Sequence, residues 1–309
     1  MIITITPNPL LDFIIHNANK PESGAHRQQY IPCTVGGKGI NVARMLKTFG
    51  RPALAITFAG GPNGQKIKSI LKDQGIIARF IQTNAETRMG INFVVSAPPS
   101  QSWWIEDGNE ISESEITDML NTFAENLPKA SYIVLSGTIP GKRNHDLYKR
   151  VLEKCIGFSA EIIIDARGEP LRKALEIGGF FLKQNRDETL ETFGLDPFNP
   201  CEWPDLEKQF LLRRLSGAFI TNGREKAVLW ISQRKIFFVP PPILEVSAVG
   251  SGDAASAGFV YARSQGMDLI EAGRWAIASG TADALHPGPC EAGFDEIVSF
   301  LRKVESFSD

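Results

Sequence analysis

A chain of 309 residues is long enough for one large hydrophobic core or two modest ones. Its 43% hydrophobic and 22% charged residues fit a folded globular protein, and a formal net charge of −2 argues against nucleic acid or an anionic membrane surface as the main partner. The cysteines Cys33, Cys155, Cys201 and Cys290 are scattered and the histidines form no H-E-x-x-H cluster, which speaks against a disulfide framework or a zinc site.

The chain opens on an apolar, β-branched run, Ile2–Thr6, with no basic leader before it. No apolar run reaches bilayer-spanning length, so a reducing cytoplasm is the expected setting. Asp12 follows Thr6-Pro7-Asn8-Pro9 at the end of that strand, placed to accept two hydroxyl donors or to sit in a solvated turn. The segment Leu11–Thr34 then carries strand-like pieces, Phe13-Ile14-Ile15 and Gln28–Ile31, with no helix between them. Next comes Gly36-Gly37-Lys38-Gly39-Ile40-Asn41-Val42-Ala43-Arg44, glycines leading into a helix predicted over Asn41–Phe49. It is not a P-loop, because no G-x-x-x-x-G-K-[ST] spacing occurs in the chain. The glycines allow a small ligand to approach the backbone, and Asn41 offers a donor and an acceptor to hydroxyls; a packed helix entry capped by Asn41 is the structural alternative.

A strand over Ala53–Phe58 and a helix over Asn63–Asp73 follow, then a second segment without a helix, Thr87–Ile105, with strand-like pieces Gly90–Ser96 and Ser102–Ile105. The two helix-free segments read as one small sheet projecting from the main body, either a cover over a site or a dimer surface. Arg27 and Arg88, one in each, suit bidentate capture of a phosphate, or a place on the surface. After a helix over Ser112–Leu127 the chain alternates. Strands are predicted at Tyr132–Leu135, Glu161–Ile164, Phe180–Leu182 and Ala218–Ile220, with helices at Asn144–Cys155 and Trp203–Leu215 between them. This alternation predicts an α/β fold, a mostly parallel sheet with helices on both faces, with ligands beyond the carboxyl ends of the strands.

Those ends carry Ser136-Gly137, Asp165, Asn185 and Asn222-Gly223. Within Lys183-Gln184-Asn185-Arg186-Asp187-Glu188, Asn185 and Glu188 stand one helical turn apart, which suits a hydrated magnesium and is also an ordinary way to start a helix. Thr221-Asn222-Gly223-Arg224 is a strand-end turn where a nucleotide could lie. The most telling stretch is Ala248-Val249-Gly250-Ser251-Gly252-Asp253-Ala254, followed by a small-residue run that reads as a helix. Glycines at a helix start converge backbone N–H groups on one point, an anion site. A carboxylate placed there makes sense if Asp253 takes a proton from a hydroxyl while Gly250, Ser251 and Gly252 hold the charge of a transferred phosphoryl group. The plainer reading is an aspartate favouring the helix dipole. Gly250-x-Gly252-x-x-Ala255 also fits the loose dinucleotide fingerprint, but the acidic residue at the required distance, Glu271, falls in a helical pattern.

In this order the motifs resemble the ribokinase/PfkB family of sugar kinases along essentially the whole chain, Gly36–Arg44 matching its N-terminal motif and Val249–Asp253 its C-terminal one. The opening Thr6-Pro7-Asn8-Pro9-Leu10-Leu11-Asp12 and the Glu86-Thr87-Arg88 step look like the phosphosugar branch, which holds 1-phosphofructokinase, tagatose-6-phosphate kinase and the minor 6-phosphofructokinase. The resemblance implies one ribokinase-like domain over residues 1–309, with a β-sheet lid drawn from about 11–34 and 87–105, usually dimerising through the lids. It implies ATP and Mg²⁺, with Asp253 as base. Asp12, Gly37, Lys38 and Asn41 are then expected around the sugar, and Arg27 and Arg88 on its phosphate. Lys183 and Asn185 would lie near the nucleotide phosphates, Glu188 at the magnesium, Thr221 and Gly223 along the nucleotide cleft, and Ser279 on its adenine side. Gln184, Lys226 and Ala254 depart from the family pattern around the nucleotide, and Gly90 stands where 1-phosphofructokinases often carry Asn. The expected reaction is ATP-dependent phosphorylation of fructose 1-phosphate to fructose 1,6-bisphosphate. Tagatose 6-phosphate or fructose 6-phosphate is the alternative acceptor, and a non-catalytic sugar- or nucleotide-binding regulator the alternative outside catalysis.

Overall fold

The structure of the chain, a computed structural model, describes all residues except 18–22, 25, 28, 97–98 and 233, and gives the backbone alone at 16–17, 96 and 99–101. The chain enters a central sheet with β1 (Ile2–Thr6), leaves it for β2 (Leu10–Asn17) and β3 (Cys33–Gly36), and returns through α1 (Lys38–Thr48) to β4 (Leu54–Gly60), α2 (Gly61–Asp73) and β5 (Ala78–Thr83). A second excursion makes β6 (Met89–Ser96) and β7 (Pro99–Ile105). Then follow α3 (Glu113–Asn126), β8 (Tyr132–Ser136), α4 (Leu147–Cys155), β9 (Glu161–Asp165), α5 (Gly168–Leu175), β10 (Phe181–Asn185), α6 (Arg186–Phe193), α7 (Trp203–Leu212) and β11 (Gly217–Asn222). The hairpin β12 (Glu225–Ile231) and β13 (Arg234–Val239), helices α8 (Ser251–Ser264), α9 (Leu269–Asp283) and α10 (Phe294–Leu301), and β14 (Glu305–Ser308) complete the chain.

The central sheet has the order β14-β13-β12-β11-β10-β9-β8-β1-β4-β5, parallel from β11 through to β5 and antiparallel through the hairpin and β14. β1 and β4 are buried along their whole length, as strands covered on both faces must be. One core, with Met45, Leu46, Phe259 and Trp275, lies under α1 and α8–α10; the other, with Phe123, Tyr148, Leu206 and Phe210, lies under α3–α7. Strand order reverses beside β1, whose neighbours are β8 and β4, so a crevice opens at the carboxyl end of β1.

The two excursions form a separate four-stranded sheet, β3-β2-β6-β7, in which β2 and β6 run parallel. This agrees with the projecting sheet read from the sequence, with one correction. The strand expected at Gln28–Ile31 is not there: Gln28 lies outside the described residues, and the strand is Cys33–Gly36, where Phe13 pairs with Cys33 and Leu10 with Gly36. Tyr30 and Ile31 stay exposed. The helix expected to reach Leu215 ends at Leu212, because Arg214 takes a left-handed φ of 54°. Among the described residues no helix is long and apolar enough to cross a membrane.

Candidate active site

The site grows from two helix starts set against the end of β1. Gly250 caps α8 with a φ of 85°, and a side chain there would overlap the Pro289 ring, so only glycine fits the turn. The turn presents the N–H groups that follow Ser251, whose own N–H donates to the Ala248 carbonyl at 3.3 Å, together with the Ser251 hydroxyl, whose Oγ is buried with no partner among the described residues. Asp253 sits in the first turn, 6% exposed, with its Oδ2 accepting from Asn41 Nδ2 at 2.8 Å. Burial pushes this carboxyl up to about 7; the Asp165 charge acts the same way, against Lys38, the Asn41 hydrogen bond and Lys183.

The second start is α1. Gly37 has a φ of 124°, and a Cβ on it would stand 2.7 Å from Thr6 Cγ2; one on Gly39 would stand 2.8 Å from the Ile5 carbonyl. These glycines let α1 press its first turn on the end of β1, which brings Lys38 and Asn41 into the crevice. Lys38 Nζ donates to Asp165 Oδ1 at 2.6 Å and lies 3.6 Å from Glu188 Oε1. Burial pulls the Lys38 ammonium down, but Asp165, Glu188 and Asp253 outweigh it and hold its pKa above the ordinary value. Arg44, one turn along α1, donates from one guanidinium nitrogen to Asn41 Oδ1 and from another to the Val35 carbonyl, both at 2.7 Å.

Asp165, at the end of β9 and fully buried, joins the two halves. Its Oδ2 lies 3.4 Å from Lys183 Nζ and accepts from Ser256 Oγ at 3.3 Å. Burial would raise this carboxyl; Lys183 and Lys38 together hold it below the usual carboxylate range. Lys183 Nζ in turn lies only 3.0 Å from where a Cβ on Gly252 would stand, so this glycine gives the ammonium room beside the turn. Sequence reasoning noted Asp165 only as a strand ending, and Arg44 only as the end of a motif.

At the end of β10, Asn185 and Glu188 form a capping box: Asn185 Oδ1 accepts from the Glu188 N–H at 2.8 Å and Glu188 Oε2 from the Asn185 N–H at 2.9 Å. The spacing read as two metal ligands thus first builds the start of α6, and leaves Glu188 Oε1 facing Lys38. Among the described residues no three His, Cys, Asp or Glu side chains are grouped to hold a metal ion. The donor set therefore suits a hydrated ion carried on phosphates and touched by one carboxylate, rather than a protein cage. Thr221 pairs with Asn185 across β10 and β11, and Gly223 makes the following turn with a φ of 56°.

Not every expected residue joins this cluster. Ser279 is wholly buried in α9 against Gly258 of α8, where its hydroxyl and the Trp275 carbonyl fill the space a Cβ on Gly258 would need; this seam, not an open cleft, is its place. Arg27 lies exposed between β2 and β3. Arg88 donates to the carbonyls of Asn8, Pro9 and Glu106, tying the loop after β1 to the small sheet, with part of its donor fork unused among the described residues. Asp12 lies on β2, two residues from the Leu10–Gly36 pair that leads into the glycine loop, and pairs across to Gly90. Burial pushes its carboxyl up to about 6, against the pull of the Trp103 indole.

A buried carboxyl raised towards neutrality, a second held ionised, two ammoniums and a helix-start anion turn therefore meet at the carboxyl edge of the sheet. Residues 9–295 match the pfkB family of carbohydrate kinases. The chain is 31% identical to the 1-phosphofructokinase of Bacillus subtilis over 97% of each chain. It is 30% identical to the ATP-dependent 6-phosphofructokinase isozyme 2 of Mycobacterium tuberculosis, over 97% of this chain and 89% of that one. Its fold superposes on the phosphofructokinase-2 of Escherichia coli with a TM-score of 0.90, 24% identity and 98% of each chain covered.

Proposed function

Since the chain belongs to the pfkB family of carbohydrate kinases and is a sugar kinase of the phosphofructokinase type, we propose that it phosphorylates the free primary hydroxyl of fructose 1-phosphate, with ATP as donor. The observation that carries the reading is the buried carboxyl of Asp253 beside the α8 anion turn, its pKa lifted into the range of a general base. Asp253 accepts the hydroxyl proton as the oxygen bonds to the γ-phosphorus, and the bridging oxygen leaves with ADP. The N–H groups of Gly250, Ser251 and Gly252 and the Lys183 ammonium hold the charge on the transferred group. Asp12, Gly37, Lys38 and Asn41 orient the sugar, Arg88 and Arg27 grip its phosphate, and Asn185, Thr221 and Gly223 border the nucleotide. When bound, Mg²⁺ neutralises charge on the nucleotide phosphates, and Glu188 would hold it through water. The reading brings a homodimer formed through the small sheet, supported by the exposed Tyr30, Ile31, Trp104 and Ile105; a monomer in sedimentation at micromolar concentration would remove it.

Fructose 6-phosphate is the second reading, because a relative named for that activity matches nearly as well. A panel of fructose 1-phosphate, fructose 6-phosphate, tagatose 6-phosphate and free fructose, each with ATP, decides between them. We expect the highest kcat/KM on fructose 1-phosphate. Arg88→Met should raise the phosphosugar KM about 10- to 100-fold, the scale of one charge-assisted hydrogen-bonded contact, while leaving the KM for ATP in place. Preference for free fructose would refute the phosphate grip, and phosphosugar binding without turnover would point to a regulator.

A further inference from the structure

We propose that Arg44 is a positioning residue, a lock that fixes the Asn41 amide so that its NH₂ group always faces the catalytic base. The inference rests on Asp253 being that base. A guanidinium carries donors and no acceptor, so only the carbonyl end of an amide can face it. Arg44 meets Asn41 Oδ1 at 2.7 Å and is itself anchored on the Val35 carbonyl at the same distance. The other end of the amide must then point away from Arg44, and it meets Asp253 Oδ2 at 2.8 Å.

The consequence for the base follows from which form each orientation favours. An NH₂ facing Asp253 is a donor, and it stabilises the ionised carboxylate that can take a proton. A carbonyl facing Asp253 would accept from the protonated carboxyl and stabilise the form that cannot. An unlocked amide would turn to suit whichever form is present; Arg44 forbids the turn, because it would set two donors face to face. The other charged or titratable groups that bear on Asp253 are Lys38 on α1, Asp165 on β9, Lys183 on β10 and, behind Gly250, Cys290. Cys290 donates weakly to the Gly250 carbonyl, and Asp283 at the end of α9 accepts from the Cys290 and Glu291 N–H groups. None of these can reverse its donor and acceptor ends, so Asn41 is the group around the base that needs a lock. The Val35 anchor also places the lock on β3, at the root of the small sheet.

The test compares two replacements of Arg44 that differ in whether they forbid the turn. Arg44→Lys keeps a donor-only head. Arg44→Gln fills similar space and keeps a donor, but adds an acceptor that tolerates either orientation. With ATP and phosphosugar saturating, the acid limb of the kcat profile should stay near wild type in Arg44→Lys. In Arg44→Gln it should move up by about one pH unit, the scale of one hydrogen bond to a charged group, with the KM for ATP unchanged. In an Asn41→Leu background, Arg44→Gln should move the limb no further, because the effect travels through the amide. Equal shifts in the Lys and Gln variants would overturn the lock, because only Gln permits the turn; a shift that survives Asn41→Leu would overturn it in favour of the lost charge of Arg44 acting on Asp253 directly. Full activity of Asp253→Asn would instead overturn the base on which the lock depends.

Discussion

Asp253→Asn should reduce kcat by about 10²- to 10⁴-fold, the usual contribution of a positioned general base, while the KM values for sugar and ATP stay within a few-fold of wild type. The same change should make the protein more stable. In the folded chain Asp253 holds its proton up to about pH 7, and in the unfolded chain only to its ordinary value of 3.8. Between those limits the folded state binds the extra proton, so this group's contribution to stability is full below the lower limit and falls as pH rises through the upper one. Asparagine keeps the contact with Asn41 and carries no charge. The variant should therefore melt above wild type, with a wider gap at pH 8 than at pH 5. An equal gap at both pH values would show that the buried charge is not the source, and full activity would remove Asp253 as the base.

Asp165→Ala should have the largest effect on folding. It removes the counter-charge of Lys183, a lysine only 6% exposed, and of the more accessible Lys38. Breaking a buried pair by deleting one partner leaves an uncompensated charge and costs about 3–5 kcal/mol. Asp165→Asn keeps an acceptor for each lysine in turn and should lose less. Urea denaturation of both variants checks this; a loss below about 1 kcal/mol in Asp165→Ala would show that the ammoniums relax into water.

How far such a site can be read from sequence depends on how local its signals are. The inner parallel strands were legible because burial on both faces demands apolar, β-branched runs, as in Ile2–Thr6, whereas β5, a half-exposed strand at the edge of the sheet, was not. The hairpin of β12 and β13 was not, because charged residues enter its apolar contacts: Lys226 lies over the Phe237 ring, and Lys235 is buried with Glu207 as its partner and Trp203 beneath it. β14 has meaning only as the edge partner of β13. Both glycine loops were legible because a left-handed turn before a helix leaves its mark in a few neighbouring residues. Asp165 was not, since its lysine partners lie 18 and 127 residues away in the chain. Asn185 and Glu188 show the opposite difficulty: one spacing serves a metal and a capping box alike, and the structure shows the capping box. Exposed Tyr30 and Ile31 imitate a strand that forms two residues later, where partners on β2 are in register.

The seam between α8 and α9 has a bearing on which parts of the molecule can vary. Gly258 lies against Ser279 and Trp275, and Gly280 against the Ser251 carbonyl, so the two helices touch backbone to backbone. α8 also carries Asp253, about 7.5 Å along its axis from Gly258. A bulkier residue at the seam has no space to fill and must push the helix, and a displacement of about 1 Å at the reacting centre is enough to slow a reaction about 100-fold. A seam position such as Gly258, five residues along α8 from Asp253, is thus under the same geometric tolerance as the base itself, and distance from the reacting centre is a poor guide to where this chain can accept change.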